Sequence, residues 1–368
     1  MVFDQLDQNP GLRFLFTLAI GVVLIQGLRF GAPIVLPVAL AGFLAVICLP
    51  IVLWLQHRGI PLVLAIPLTV LALACVFGLL IMVGTQQIPE LQKLLLAQGE
   101  AIEPVLDEWL LEVEDRFGLP EEGGIRATVL GFTDISTLAS LATGATTWAL
   151  SVVSSTFLVF LLLAFALGEA AVFPRKLGVI VGDAVASNER LNVIVDEIQG
   201  YLVIKTLVSL ATGVLLGLWT WAMGVELPLL MGLIAFSLNY VPTIGSVIAS
   251  IPALALALVQ IDADGVFAGF DLQGTLIVGL GYLAVNIILG NWLEPTLMGR
   301  RLGLSTMVVV LSLVFWGWLW GPIGAVLSVP LTMVVKIMLE NTTDLKWVAV
   351  LLDKAPPAEA VVGEGGPA

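Results

Sequence analysis

Eight polar or charged side chains lie within or at the edges of long apolar runs of the sequence. They are Glu169, Lys205, Glu226, Asn239, Tyr240, Asn286, Asn291 and Glu294. Burying such groups is unfavourable unless they are paired or line water, so their position indicates hydrogen bonding or ion binding. The amides and the phenol could hydrogen-bond a small polar solute or a cation. The candidates for proton or ion coupling are Glu294, Glu169, Glu226 and Lys205.

Asn239 and Tyr240 begin the stretch NYVPTIGSVIASIP, at residues 239–252. Pro242 removes a backbone donor and clashes with the preceding helical turn, while Gly245 permits dihedral angles closed to other residues. A helix that breaks here exposes backbone carbonyl and amide groups beside an amide side chain and a phenol, which suits a polar solute or a cation. The alternative is that Asn239 only caps the helix end that Pro242 frees.

Lys205 and Glu294 lie at the ends of apolar runs, where a structural role competes with a functional one. We expect Lys205 to snorkel to the membrane surface, because its alkyl stem can stay in an apolar environment while the ammonium reaches water. We expect Glu294 to form a structural ion pair near Arg300 and Arg301. The functional alternative is a proton-linked gate at Glu294.

The stretch VNIILGNWLEP carries Asn286 and Asn291, which are five residues apart and therefore share no tight helical face. We place Asn291 at the membrane interface. Gly213 and Gly217, in GVLLG, allow two helices to approach closely, which is a packing role.

The elements that position these residues are predicted to be transmembrane helices. Of 368 residues, 59% are hydrophobic and 12% charged, and the mean hydropathy is +1.07. A helix that crosses the bilayer needs about 20 apolar residues. We therefore predict an all-α polytopic membrane protein with about eight hydrophobic segments. The segments are 12–28, 33–55, 62–84, 145–168, 206–223 and 274–292, with two longer runs at 226–259 and 304–339.

The two longer runs are too long to be single spans. Residues 226–259 would form a rod of about 51 Å, whereas even a strongly tilted helix needs only about 39 Å to cross the hydrocarbon core. The first run is interrupted at NYVPTIG and the second at GPIG, residues 321–324. Both runs are therefore predicted to be broken helical hairpins, either re-entrant or made of two short spans.

The two breaks resemble each other, because IGSVIASIP (244–252) matches IGAVLSVP (323–330) with one residue deleted. A span followed by a hairpin thus occurs twice, which predicts an inverted-topology repeat whose broken segments mark the substrate path. The predicted path residues are Asn239, Tyr240, Pro242, Gly245, Pro252, Asn286, Asn291, Gly321, Pro322, Gly324 and Pro330.

The distribution of basic residues in short loops predicts that both termini are cytoplasmic. Residues 86–143 hold 11 acidic and 3 basic side chains, and this orientation sends them outside. The predicted organisation is N-terminal spans at 1–85, an acidic periplasmic insert at 86–143, span four with cytoplasmic interfacial helices at 144–205, a C-terminal transport core at 206–340, and a cytoplasmic tail at 341–368.

Two stretches have the apolar spacing of amphipathic helices. PVLDEWLLEVEDRFG, within the acidic insert, is predicted to pack on its neighbours or on the membrane surface. NERLNVIVDEIQGYLVIK is predicted to be an interfacial helix that leads into the fifth span.

Several classes of function are disfavoured. The sequence has no GxxxxGK[ST] phosphate loop, and its single histidine, His57, has no ligand or nucleophile partners. Cys48 and Cys75 lie in apolar runs and predict no metal site. The net charge of −13 and the absence of a basic stripe argue against nucleic acid. We expect no enzymatic activity, no metal and no cofactor.

Three long stretches closely resemble the autoinducer-2 exporter (AI-2E) family, and especially its AI-2 transport branch. They are YLVIKTLVSLATG (201–213), LNYVPTIGSVIASIP (238–252) and NWLEPTLMGRRLGLSTMVVVLSLVFWGWLWGPIGAVLSVPLTMVVKI (291–337). The matching motif positions are Asn239, Pro242, Gly245, Pro252, Asn291, Glu294, Pro295, Gly299, Gly321, Pro322, Gly324 and Pro330. Many relatives have Asn-Ile-Gly where this chain has Thr243-Ile244-Gly245, which leaves the solute preference open.

The resemblance implies a bacterial inner-membrane permease that forms homo-oligomers and exports AI-2, a quorum-sensing furanone derivative. The expected partners are membrane lipid, a small polar solute, and H+ or Na+ as a coupling ion. A Na+(Li+)/H+ antiporter is the alternative, since some members of the family look like antiporters. A third hypothesis is an envelope-interaction protein that uses the acidic insert.

Overall fold

The structure is a computed structural model that describes residues 10–117, 156–170, 185–242, 244–261, 267–298, 304–340 and 346–353. Some sequence-based predictions fall outside these residues. They concern the first part of the span at 145–168, the insert beyond Phe117, Thr243, Gly299, Arg300, Arg301 and the tail beyond Asp353.

The prediction of an all-α polytopic protein is confirmed, since the described residues are mostly helical. In chain order the helices are α1 (Pro10–Phe30), α2 (Ala32–His57), α3 (Leu62–Phe117), α4 (Thr156–Ala170), α5 (Val185–Ala222), α6 (Pro228–Leu238), α7 (Ile244–Leu258), α8 (Leu272–Val285), a π-helical segment (Asn286–Leu293), α9 (Glu294–Met298), α10 (Thr306–Glu340) and α11 (Lys346–Leu352).

Among the described residues, five helices are long and apolar enough to cross a membrane. They are Ala32–His57, Leu62–Ile102, Asp196–Ala222, Leu272–Met298 and Thr306–Glu340. Apolar side chains such as Phe30, Val63 and Phe165 are largely exposed on these and the shorter helices. Exposed apolar surface of this extent is expected where lipid rather than water is the solvent. The chain is therefore a multi-pass membrane protein.

Two helices are longer than the sequence suggested. The predicted third span and the amphipathic stretch of the insert form one helix, α3, which continues through Pro67, Pro89 and Pro104. The predicted interfacial helix and the fifth span are likewise one helix, α5. In α3 the prolines between the two segments are tolerated inside the helix, which continues from apolar into polar sequence.

A small antiparallel β-ribbon follows α7 and was not predicted. Its strands are β1 (Val259–Ile261) and β2 (Phe267–Phe270), with Val259 opposite Phe270. Directly after β2, the carboxylate of Asp271 accepts a hydrogen bond from the Gly274 N–H at 2.7 Å and caps the N-terminus of α8.

The chain forms two compact units. Unit one comprises residues 1–62, 158–195 and 303–368, and unit two comprises residues 63–157 and 196–302. The segment 228–258, made of α6 and α7, belongs to unit two and is called hairpin one. The segment Thr306–Glu340, which is α10, belongs to unit one and is called hairpin two. The predicted core at 206–340 thus includes parts of both units.

In unit two, glycines bring α5 and hairpin one into close contact. A Cβ at Gly213 would lie 2.7 Å from the Gly232 carbonyl oxygen, and one at Gly217 would lie 3.3 Å from the Pro228 carbonyl oxygen. The predicted packing role of these two glycines is therefore confirmed. Apolar side chains of α5, hairpin one and α8 complete the core, among them Leu216, Met231 and Val278.

In unit one, the apolar cluster lies at the middle of hairpin two. Trp316, Leu319 and Trp320 pack against side chains of α1 and α2 that include Ile25, Leu28 and Val35. The Trp320 indole N–H donates to the Leu28 carbonyl at 3.1 Å. Hairpin two is thereby fixed to the turn between α1 and α2.

Candidate functional site

Hairpin one breaks at the position predicted from NYVPTIG. Helix α6 ends at Leu238 and α7 begins at Ile244. Gly245 is buried with its Cα against the Leu238 backbone, where a side chain would collide with the carbonyl. The two arms therefore meet directly at a glycine, which is what the break requires.

Hairpin two breaks at the predicted GPIG. Gly321 has φ 66° and ψ −151°, a backbone conformation that is essentially restricted to glycine. The Trp316 indole N–H donates to Thr332 Oγ1 at 3.0 Å, although the two residues would be about 24 Å apart in a straight helix. Gly324 lies against the Trp316 backbone, as Gly245 lies against Leu238. The matched sequence strings therefore place a glycine against a carbonyl of the preceding arm in both hairpins.

Helix α5 presents polar side chains to the tip of hairpin one. The Asn239 amide Nδ2 donates to Ser209 Oγ at 3.0 Å, and the Tyr240 hydroxyl donates to Thr206 Oγ1 at 2.9 Å. Ser209 and Asn239 are buried, with exposed fractions of 0% and 7%. Asn239 therefore bonds across to a second helix, which contradicts the alternative that it only caps its own helix.

Lys205 and Glu294 form an ion pair beside this tip. Lys205 Nζ and Glu294 Oε1 are 2.7 Å apart, and the two side chains are only 6% and 16% exposed. The expectation that Lys205 snorkels to the surface is wrong, because a carboxylate from α9 is available within the protein. Glu294 forms the predicted kind of interaction, an ion pair with Lys205, while Arg300 and Arg301 lie outside the described residues.

These contacts form one group. Tyr201, one turn before Lys205 on the same helix, is buried. The group is called the tip cluster. It consists of Lys205, Thr206, Ser209, Asn239, Tyr240 and Glu294. Its charged members neutralise each other, so it offers hydrogen-bonding groups with little net charge in apolar surroundings.

The helix that carries Glu294 runs antiparallel to α5. Lys205 meets Glu294 at one end, and the Trp219 indole lies against Gly281 further along both helices. Between these contacts the helix is π-helical from Asn286 to Leu293. Such segments are rare and often occur at functional sites. Asn286 is partly buried on this segment, and Asn291 is exposed.

The remaining predicted residues are distributed over both units. Glu226 is exposed just before hairpin one, and Glu169 is exposed on α4. Pro242 is partly buried at the first tip and Pro252 lies inside α7. Hairpin two carries the others, of which Gly324 and Pro330 are buried, Gly321 is partly buried, and Pro322 is exposed.

Sequence reasoning missed Thr206 and Ser209 as parts of the site. A signal was present, because Lys205, Ser209 and Thr212 recur at helical spacing within an apolar span. Among the described residues, no group of three or more His, Cys, Asp or Glu side chains could hold a metal ion.

Comparison with known proteins identifies the family. The family model described as AI-2E family transporter matches residues 18–344. AI-2 transport protein TqsA of Escherichia coli is 37% identical over 351 residues, covering 93% of this chain and 96% of that protein. Two other relatives have names that describe them only as candidate transport proteins. One, from Haemophilus influenzae, is 37% identical over 92% of this chain and 96% of its own length. The other, YhhT of Escherichia coli, is 33% identical over 96% of this chain and 98% of its own length.

The matched region includes both broken hairpins and every member of the tip cluster. A family model that covers this much of the chain, together with relatives matched over nearly their full lengths, leaves no large segment unaccounted for. The chain belongs to the AI-2E family of transporters.

Proposed function

We propose that this protein is a secondary transporter of the bacterial inner membrane that exports a small, neutral, polar solute, and that autoinducer-2 is that solute. The observation that supports this proposal is the buried tip cluster at the break of hairpin one. The choice of solute rests on the name of the Escherichia coli relative, AI-2 transport protein TqsA. Both termini are proposed to be cytoplasmic, and the chain to act as a homo-oligomer.

The tip cluster suits a solute that carries several hydroxyl groups. The Asn239 amide and the Tyr240 phenol now bond to Ser209 and Thr206. A solute hydroxyl could replace either partner at little cost, because one hydrogen bond is exchanged for another. Pro242 and Gly245, at the break of hairpin one, would shape the backbone beside these groups.

The charge of the cluster favours a neutral solute. Glu294 is already neutralised by Lys205 at 2.7 Å, so it has little net charge to offer a cation. The antiporter alternative receives no support from the comparisons with known proteins. The envelope-interaction hypothesis concerns the acidic insert, of which the structure describes only residues 86–117. Export of a polar solute is therefore the function we propose.

The test is transport of AI-2 by purified protein in vesicles, with Tyr240→Phe as the diagnostic variant. This change removes the hydroxyl but keeps the ring, which packs edge-to-face on Phe236 at 5.7 Å. We expect KM for AI-2 to rise about fivefold, which corresponds to the loss of one hydrogen bond of about 1 kcal/mol.

Tyr282→Phe is the matched control. It removes a buried hydroxyl that has no hydrogen-bond partner among the described residues, so KM should not change. The proposal fails if the wild-type protein moves no AI-2 under any imposed ion gradient while deletion of its gene leaves external AI-2 unchanged. An equal effect of the two tyrosine variants would exclude Tyr240 from the solute site.

A further inference from the structure

We propose that two glutamines of α3, Gln87 and Gln98, hold the open end of hairpin one and thereby position the tip cluster. The effect of the two glutamines on transport rests on the proposed function, whereas their hydrogen bonds to hairpin one do not. The two residues are called the clasp. Neither was singled out by its sequence context, since both lie in the polar continuation of α3.

The first half of the clasp supplies a missing helix cap. Helix α6 begins after Leu227, which has no side chain that could accept a hydrogen bond from the first turn. Gln87 Oε1 accepts from the Leu230 N–H at 3.1 Å instead. That N–H belongs to the first turn, where the backbone donors have no partner within the helix. Gln87 therefore performs the role of an N-cap residue from a neighbouring helix.

Leu227 is also the one described non-glycine residue with a positive φ. Its backbone lies in the left-handed region, at φ 56° and ψ 47°, immediately before Pro228. A leucine in this conformation is strained and persists only when its surroundings fix it. The strain lies at the residue that joins hairpin one to α5, and Gln87 binds the first turn that follows it.

The second half of the clasp binds the other open end. Gln98 Nε2 donates to the Leu256 carbonyl at 3.4 Å and to the Val259 carbonyl at 3.2 Å. Leu256 lies in the last turn of α7, where the last acceptors of a helix lack partners, and Val259 follows the helix directly as the first residue of β1. The Asp271 N–H bonds to the neighbouring Leu258 carbonyl at 2.9 Å. Gln98 therefore closes the end of the second arm.

Spacing and packing make α3 the common support of both arms. Gln87 and Gln98 are eleven residues apart, which is about three helical turns, so they share one face of α3. Ile88 and Leu91, on the same side, pack against the apolar core of hairpin one. The two amides act in opposite senses, because a backbone N–H can only donate and a carbonyl can only accept. Gln87 is an acceptor and Gln98 is a donor.

Because one glutamine must accept and the other must donate, substitutions can distinguish a hydrogen-bonding role from a packing role. Gln87→Glu keeps the acceptor and Gln98→Lys keeps a donor, each with the charge that the local helix end prefers. Gln87→Lys and Gln98→Glu reverse both. Gln86→Glu and Gln86→Lys are the matched controls, since Gln86 is an exposed amide on the same helix.

Hydrogen–deuterium exchange of the full-length protein gives the first readout. We expect the segments 227–238 and 244–258, and the tip between them, to exchange about fivefold faster in Gln87→Lys and Gln98→Glu, which is the scale of a lost helix cap. Exchange in Gln87→Glu, Gln98→Lys and both Gln86 variants should match the wild type. Equal exchange in all variants would overturn the clasp. So would faster exchange in every Lys variant, or in every Glu variant, whichever position carries it.

AI-2 transport by the same variants gives the second readout. We expect the two reversed variants to lower kcat/KM about fivefold, because the hairpin that carries the tip cluster is no longer held in place. Faster exchange with normal transport would overturn the positioning role. If the wild-type protein moves no AI-2, the proposed function fails, and the exchange result still decides whether the clasp exists.

Discussion

Hairpin one and hairpin two share a close glycine contact at the break but differ in what surrounds it. In each, a glycine lies directly against a carbonyl of the preceding arm, at Leu238 in the first and Trp316 in the second. The amide and the phenol of the first tip bond to hydroxyl groups of α5, beside the ion pair between α5 and α9. The second is packed by indoles against the apolar α1 and α2. Both hairpins therefore break at a glycine, but the neighbouring side chains are polar at the first break and aromatic at the second.

The open ends differ in a parallel way. Neutral amides of α3 hold the ends of hairpin one. The ends of hairpin two contact α11 and the residue after it. The Ser305 N–H donates to the Leu352 carbonyl at 3.1 Å, and Lys336 Nζ lies 3.1 Å from Asp353 Oδ2. One hairpin is therefore charged at its tip and neutral at its open end, and the other is the reverse.

The largest expected effect comes from breaking the charged pair at the first tip. Lys205→Met and Glu294→Leu, each alone, leave one buried charge without a partner and should lower the free energy of unfolding by about 3–5 kcal/mol. The double variant should recover to within about 1 kcal/mol of the wild type, because an apolar pair of similar volume needs no compensating charge. Denaturant unfolding in detergent micelles measures both.

The second hairpin supplies the control for this prediction. Lys336→Met should cost only about 1 kcal/mol, since its partners Glu340 and Asp353 are 46% and 36% exposed and remain hydrated. Equal losses for Lys205→Met and Lys336→Met would contradict the contrast between a buried and a hydrated ion pair. Strictly additive losses in the double variant would show that Lys205 and Glu294 do not interact.

An intermediate effect is expected from the feature that the two hairpins share. Gly245→Ala and Gly324→Ala place a methyl group against a backbone carbonyl, and each should lower the free energy of unfolding by about 1–3 kcal/mol. Gly78→Ala on α3 is the control, because a Cβ there has no neighbour within 4 Å. It should stabilise the helix by about 0.5–1 kcal/mol. An unchanged free energy of unfolding for either hairpin variant would show that its glycine does not lie against the carbonyl.

The smallest expected effect distinguishes the two open ends by salt. At about 1 M salt, where charges are screened beyond ~3 Å, the Lys336–Asp353 contact should weaken by about 0.5 kcal/mol. Hydrogen exchange should then rise about twofold in residues 346–353, and Asp353→Asn should remove the salt dependence. Exchange at the open end of hairpin one should not respond, because its bonds involve neutral amides. An equal response at both open ends would contradict the proposed difference.

Much of the fold was predictable because it depends on local sequence. Apolar runs identify the membrane helices, and Pro242, Gly245 and the GPIG string identify the two breaks. The helix ends were less predictable. The continuation of α3 to Phe117 could not be anticipated, because Pro89 and Pro104 are tolerated inside it. Whether the hairpins are re-entrant or short spans, and whether they form an inverted repeat, stay predictions.

The site was only partly predictable, since its residues come from distant segments. Asn239 and Tyr240 were predicted to lie at a break in the helix, and they do. Their partners on α5 are 30 and 34 positions earlier in the chain, which local sequence does not reveal. Lys205 and Glu294 were both candidates, but they were not predicted to pair. Lys205 was expected at the membrane surface, and Glu294 was expected near two arginines. Gln87 and Gln98 have no local signal, because an amide on a polar helix is ordinarily solvent-exposed.

The sequence by itself determined that the chain spans the membrane as helices and that two of its apolar runs break. These properties follow from hydrophobicity, proline and glycine, which act over a few residues. Only the tertiary structure decided that Lys205 pairs with Glu294, that hairpin one has a polar tip while hairpin two has an aromatic one, and that α3 caps both ends of hairpin one. These properties depend on which helices become neighbours, and a buried polar group takes whatever partner those neighbours supply.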